Sequence, residues 1–256
     1  MMWEDSEEYY AQPNFLAYEL ELPYSLVYPK GGALRDDGTQ DLSSHMSVDQ
    51  HFALVHHQLT QMRNALALAK ALNRVLILPR LVCGLDRWWA PHSGIIPGSA
   101  ARLPLLECPA DHVIDLERMG KPEKILREHS MLCNPRTPGH VLKSMASVQM
   151  PSFAEPLSSK PIAAAEELLT RLNERTSLKV LKLTGRLPDY RAFLSGSKRD
   201  AFEAEVKGYA GLWCCNRPPG GRGAGHIWYD FLWDVVPHRD RHNRQWKEAW
   251  KPIMGP

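Results

Sequence analysis

The sequence is first informative for what it lacks. No apolar run approaches the roughly 20 residues that cross a bilayer. The best candidates are Val75–Leu78 and the Ala/Leu stretch 65–72, which Lys70 interrupts. Neither charge sign is in excess: 31 Lys and Arg face 29 Asp and Glu, a net of +2. That balance argues against an extended nucleic-acid footprint and a polybasic membrane surface. Cysteine is sparse, with Cys83, Cys108, Cys133, Cys214 and Cys215 and no C-x-x-C pair. A disulfide scaffold, a zinc ribbon and a thioredoxin-like motif are therefore unsupported. One bridge, Cys83 to Cys108, and a set of buried thiols both remain open. The glycine fingerprint of dinucleotide binding is absent. The Gly-rich stretch 218–225 lacks the Gly-Lys-Ser/Thr ending of a P-loop. The first residues, MMWEDSEEYY, are acidic and aromatic, so no targeting segment is expected in this sequence.

What is present is ordinary globular composition. Hydrophobic residues make up 44% and charged residues 23% of 256, enough for a sizeable core without staples. Residues 1–50 are broken by Pro13, Pro23, Pro29 and Gly31-Gly32. They read as an irregular lead-in, with Phe15–Leu22 and Leu26–Tyr28 lying on the main body as edge strands. Residues 51–236 read as an α/β domain and 237–256 as a polar, basic tail. The clearest statement is at 52–78. A strand over Phe52–Val55, a polar loop over 56–60, a helix over Gln61–Asn73 and a strand over 74–79 make a βαβ unit. Thr60 caps that helix and Asn73 ends it. A βαβ unit implies a Rossmann-like parallel sheet with helices on both faces and long irregular loops. Further along, the pattern predicts a helix at 161–174, a strand at 178–183 and a helix at 197–207. Two short strands follow, at 209–214 and 226–229. Segment 131–160 reads as a connector.

Three clusters are candidates for chemistry. His57, Gln58, Gln61, Arg63 and Asn64 crowd the expected exit of a parallel strand. Ligands bind at the carboxyl ends of such strands, and free backbone N–H groups at a helix start favour phosphate. Arg63 adds a bidentate donor. Asp86, Arg87 and Trp88 offer an ion pair and an indole suited to a sugar or a diphosphate. Asp111 and His112 set a carboxylate beside an imidazole. Each has a plain structural alternative: capping, core-edge pairing or a solvated turn. No metal-ligand set is apparent. Asp-x-Asp, with which many metal-dependent sugar transferases hold Mn²⁺ or Mg²⁺, occurs nowhere. Either the chemistry is metal-independent or a donor site lies outside this chain.

The order of several motifs adds a resemblance. HFALVHHQLTQMRNALALAKALNRVLILPRLVCGLDRWWAPHSG (51–94), CPADHVIDL (108–116), REHSMLCNP (127–135), FEAEVKGYAGLWCC (202–215) and GHIWYDFLWD (225–234) together resemble plant and algal arabinosyltransferases of glycosyltransferase family 77. EEYYAQPNFLAYE (7–19) is also similar. The matched region is the C-terminal portion of those proteins. The resemblance implies transfer of arabinose from a UDP-sugar donor to hydroxyproline-rich glycoproteins such as extensins, in the Golgi lumen. It also implies an upstream catalytic domain as partner, which would carry any Mn²⁺ or Mg²⁺, with no cofactor held in this chain. The alternative is a non-catalytic glycan- or peptide-binding domain, or a structural one. Separately, Val55–Pro79 is similar to the opening unit of protein O-fucosyltransferases.

Overall fold

A computed structural model describes residues 10, 14–27, 48–83, 109–120, 126–151, 162–214 and 227–233. The chain falls into two compact units. The first comprises Met1–Glu21, Gln61–Pro79 and Glu117–Glu205; the second comprises Leu22–Thr60, Arg80–Leu116 and Val206–Pro256. Among the described residues, no helix is long and apolar enough to cross a membrane.

The first unit is built on five strands: β1 (Phe15–Tyr18), β2 (Val75–Ile77), β3 (Leu126–Arg127), β4 (Met145–Gln149) and β5 (Val180–Thr184). Their spatial order is β3-β2-β1-β5-β4, and every pairing is parallel. β1 and β2 are buried at every position. That is why they read as short continuous apolar runs rather than alternating ones. One face of the sheet gathers Phe15, Ala17, Val75, Ile77 and Val180 with Tyr10, Met131 and Val141. At the start of the sheet Arg74 is nearly buried and donates to three carbonyls. These belong to Phe15 (3.0 Å), Leu178 (2.9 Å) and Arg175 (2.7 Å), so Arg74 ties the lead-ins of β1 and β5 together. Burial lowers its pKa from the ordinary guanidinium value.

The α/β class and the parallel sheet are as expected, but the βαβ unit begins elsewhere. Phe52–Val55 is not a strand. It lies inside a 24-residue helix, α1 (Val48–Ala71). A four-residue apolar run does not distinguish strand from helix. Between 48 and 71 there is neither Gly nor Pro to stop a helix, and the buried positions Phe52, Val55, Leu59, Met62, Leu66 and Ala69 recur at helical spacing. Thr60 is no cap; its hydroxyl donates to the His56 carbonyl one turn back. Asn73 does end the helix, with a left-handed φ of 50°. The first strand of the crossover is β1, which is the central strand of the sheet rather than an edge strand. The connector at 131–160 also holds an unforeseen strand, β4. Its mostly exposed side chains left no hydrophobic pattern to read.

The expected later elements are present: helix α2 (Ile162–Asn173), strand β5 and helix α3 (Gly196–Gly208). In the second unit, β6 (Leu212–Cys214) pairs antiparallel with β7 (Ile227–Trp228). Gly211 sits at the start of this pair. Its N–H donates to Val113 O (2.8 Å) and its carbonyl accepts from Tyr229 N (3.0 Å). A Cβ here would lie 2.5 Å from the Val113 carbonyl, so only glycine fits.

Candidate functional site

In the first unit the chain passes from β1 to β2 and β3 on one side of the sheet, then crosses to β4 and β5 on the other. The order reverses between β1 and β5. In open α/β sheets ligands bind in the crevice at such a switch point, outside the carboxyl ends of the strands. Tyr18 is the last residue of β1, paired in register with Leu183 of β5. Glu19 follows, donating its N–H to the Leu183 carbonyl (3.0 Å) and pairing its carboxylate with Lys182. Beyond β5, Gly185 takes a left-handed φ of 80°. A side chain there would meet the Gln149 carboxamide, which accepts a hydrogen bond from the Thr184 hydroxyl at 2.8 Å. The strand ends are thus lined by Tyr18, Glu19, Thr184, Gly185 and Gln149.

Helix α1 brings a second group to this end of the sheet. Gln61 grips the chain just past β1. Its carboxamide oxygen accepts from Glu21 N (2.9 Å) and its nitrogen donates to Glu21 O (2.8 Å). Two residues on, Arg63 is fully buried and reaches the loop after β5. Its guanidinium lies 3.5 Å from the Asp189 carboxylate and 4.6 Å from the centre of the Tyr190 ring. Asn64 accepts from Tyr190 N at 3.2 Å. Arg191 closes the group with two bonds to Asp189, at 2.7 and 3.0 Å. The Tyr190 hydroxyl donates to Glu203 at 2.6 Å.

Burial pushes the Asp189 carboxyl up, but the bonds from Arg191 and the charges of Arg191 and Arg63 outweigh it, so its pKa falls below the ordinary carboxylate value. It stays ionised and holds both guanidiniums in place. Burial and the bond to Glu203 raise the Tyr190 phenol. One carboxylate between two guanidiniums leaves the Arg63–Asp189–Arg191 cluster one net positive charge. Arg191 is 38% exposed. Arg63 is closed off from solvent, so a diphosphate would meet this cluster through Arg191.

The residues singled out from sequence divide as follows. Gln61, Arg63 and Asn64 lie together in the first unit, engaged as just described. They stand in mid-helix, where the N–H groups belong to the helix, so the expected helix-start phosphate cradle at 56–60 does not form. His57 and Gln58 lie in the second unit. Gln58 is buried and fixes Val82 by bonds in both directions, 2.7 Å to its carbonyl and 2.8 Å from its N–H. Asp111 and His112 form part of a short 3₁₀ turn in that unit, Asp111 exposed and His112 half-buried. Asp86, Arg87 and Trp88 lie outside the described residues. Tyr18, Gly185, Asp189, Tyr190 and Arg191 were not foreseen. The usable signal was the strand at 178–183 followed at once by Gly185 and the charged Asp-Tyr-Arg triplet.

The second unit explains why several motifs keep company. His51 Nε2 lies 2.9 Å from the Tyr229 hydroxyl, and His56 Nε2 accepts from Asp230 N at 3.1 Å. Trp233 stacks on His56 at 3.9 Å. Asp115 N donates to Tyr209 O at 2.9 Å, and Gly211 bonds to both Val113 and Tyr229. Parts of four motif segments (51–94, 108–116, 202–215 and 225–234) therefore meet in one core. Burial lowers the His51 pKa to about 3, so this imidazole is neutral. Cys83 is disulfide-bonded; Cys108, its partner in one of the two readings left open by the sequence, lies outside the described residues. Among the described residues Cys133 is a free, exposed thiol.

A parallel sheet with helices about it and a switch point between β1 and β5 defines a Rossmann-like α/β protein. Compared with known proteins, the chain is 32% identical over 99% of its length to Arabinosyltransferase XEG113 of Arabidopsis thaliana, and it spans 38% of that protein. The resemblance to arabinosyltransferases carried by the motifs is thus borne out along the whole chain. No family model and no solved structure matches.

Proposed function

We propose that this chain is part of a glycosyltransferase that moves arabinose from a UDP-sugar to hydroxyproline-rich cell-wall glycoproteins. The observation that carries the reading is the 32% identity, over 99% of the chain, to an arabinosyltransferase. The switch point of the first unit is where we put the nucleotide-sugar. Arg191 faces its diphosphate and the fully buried Arg63 adds positive charge beside Asp189, while Gln61 and Asn64 hold the loops after β1 and β5 in register. His57, Gln58, Asp86, Arg87, Trp88, Asp111 and His112 are kept for the acceptor or for the frame that presents it. Among the described residues no three His, Cys, Asp or Glu side chains gather as metal ligands. The Golgi lumen is the proposed compartment. The Cys83 disulfide supports it, since such bonds persist in oxidising compartments.

The activity of this chain is tested by turnover. Purified protein is incubated with UDP-arabinose and a hydroxyproline-rich peptide, and released UDP is measured. UDP release that depends on the peptide supports a transferase. The chain spans 38% of its relative, which favours a second reading: a non-catalytic domain that binds glycan or peptide beside an upstream catalytic domain. Peptide binding without UDP release supports that reading.

A further inference from the structure

Tyr18 ends the central strand at the point where the strand order reverses, and it is 4% exposed. Its hydroxyl has no hydrogen-bond partner among the described residues. The rest of β1, Phe15, Leu16 and Ala17, is apolar and buried, and Phe at position 18 would fill the same space without an unsatisfied polar atom. A buried hydroxyl left unpaired costs stability, and such costs concentrate at functional sites. Tyr18 itself stands at the carboxyl end of β1, one residue before the Glu19–Lys182 pair and three before the Gln61 clamp on Glu21.

Resting on the nucleotide-sugar reading above, we propose that the Tyr18 hydroxyl bonds a hydroxyl group of the donor's arabinose. The chemistry favours the sugar over the phosphates. A single uncharged O–H suits an uncharged hydroxyl, while the anionic diphosphate is drawn to the guanidinium of Arg191. Burial raises the Tyr18 pKa well above that of a free phenol, which keeps the group protonated and able to donate.

The test is calorimetric titration of wild type and Tyr18→Phe with UDP and with UDP-arabinose, with urea unfolding of both proteins. The expected result is an unchanged or higher unfolding midpoint, UDP affinity within about twofold of wild type, and UDP-arabinose affinity lower by about tenfold. Unchanged UDP-arabinose affinity overturns the inference and makes the hydroxyl a structural or water-bonded group. Equal loss for UDP and UDP-arabinose moves the contact off the arabinose and onto the nucleotide, and overturns it as well. A lower midpoint shows that the hydroxyl is bonded within the protein and also overturns it. A wild type that binds neither ligand overturns the nucleotide-sugar reading itself, and this inference with it.

Discussion

Acidification should destabilise this protein through one histidine. His51 is fully buried against Phe52 and Tyr229, and burial lowers its pKa from about 6.5 in a free chain to about 3. A folded-state pKa below the unfolded one means that stability is fully present above pH 6.5. Below that, the unfolded chain takes up a proton that the folded chain refuses. Stability then falls by about 1.4 kcal/mol per pH unit, and the loss is complete only below pH 3. From pH 6.5 to 5 it amounts to about 2 kcal/mol. Urea unfolding followed by tryptophan fluorescence between pH 7.5 and 4.5 measures it, with His51→Gln as the control. Glutamine retains a group able to bond the Tyr229 hydroxyl but does not titrate. Wild type should lose about 2 kcal/mol more than the variant between pH 6.5 and 5. Parallel stability curves for the two proteins would refute the reasoning, because burial would then not be holding the imidazole neutral.

Other substitutions probe the frame and the candidate site. Arg74→Met keeps the stem but removes three charge-assisted bonds to the lead-ins of β1 and β5; it should cost about 4 kcal/mol in urea unfolding. Gly211→Ala drives a Cβ into the Val113 backbone and should cost about 3 kcal/mol, seen as a lower unfolding midpoint. Gly185→Ala imposes a left-handed φ on a residue with a Cβ and should cost about 1–2 kcal/mol. Arg191→Ala removes a part-exposed guanidinium while Asp189 keeps Arg63. It should leave stability within about 1 kcal/mol of wild type and weaken UDP binding about tenfold, measured by titration. Arg63→Ala is the less clean probe, since it empties a fully buried position beside Asp189 and Tyr190.

Much of the fold could be read from the chain because its signals were local. Asn73 ends a helix in a left-handed turn, Val75–Ile77 is a short buried strand, and α2 and α3 show their apolar faces at helical spacing. What misled was also local. Phe52–Val55 is short enough to suit either period, and His56, His57 and Gln58 read as a polar loop. In the fold, His56 accepts a bond from the Asp230 backbone and Gln58 holds Val82. Those partners lie 174 and 24 residues away, and no window of sequence shows them. The same holds for the candidate site. Gln61, Arg63 and Asn64 were singled out as polar residues near a strand exit, and they do stand near one. The strand is β1, more than 40 residues upstream of them, and the ring and carboxylate they meet come from positions 189 and 190. Tyr18 looked like an apolar-run aromatic, and only the sheet order places it at the reversal.

The central claim is that the chain itself holds a nucleotide-sugar site. Calorimetric titration of the folded protein with UDP, with and without Mn²⁺, tests it most directly. The account predicts saturable binding at one site, weakened by Arg191→Ala. No binding by folded protein, with Mn²⁺ or without it, would contradict the claim and leave the Arg63–Asp189–Arg191 cluster as a structural clamp on the loop after β5.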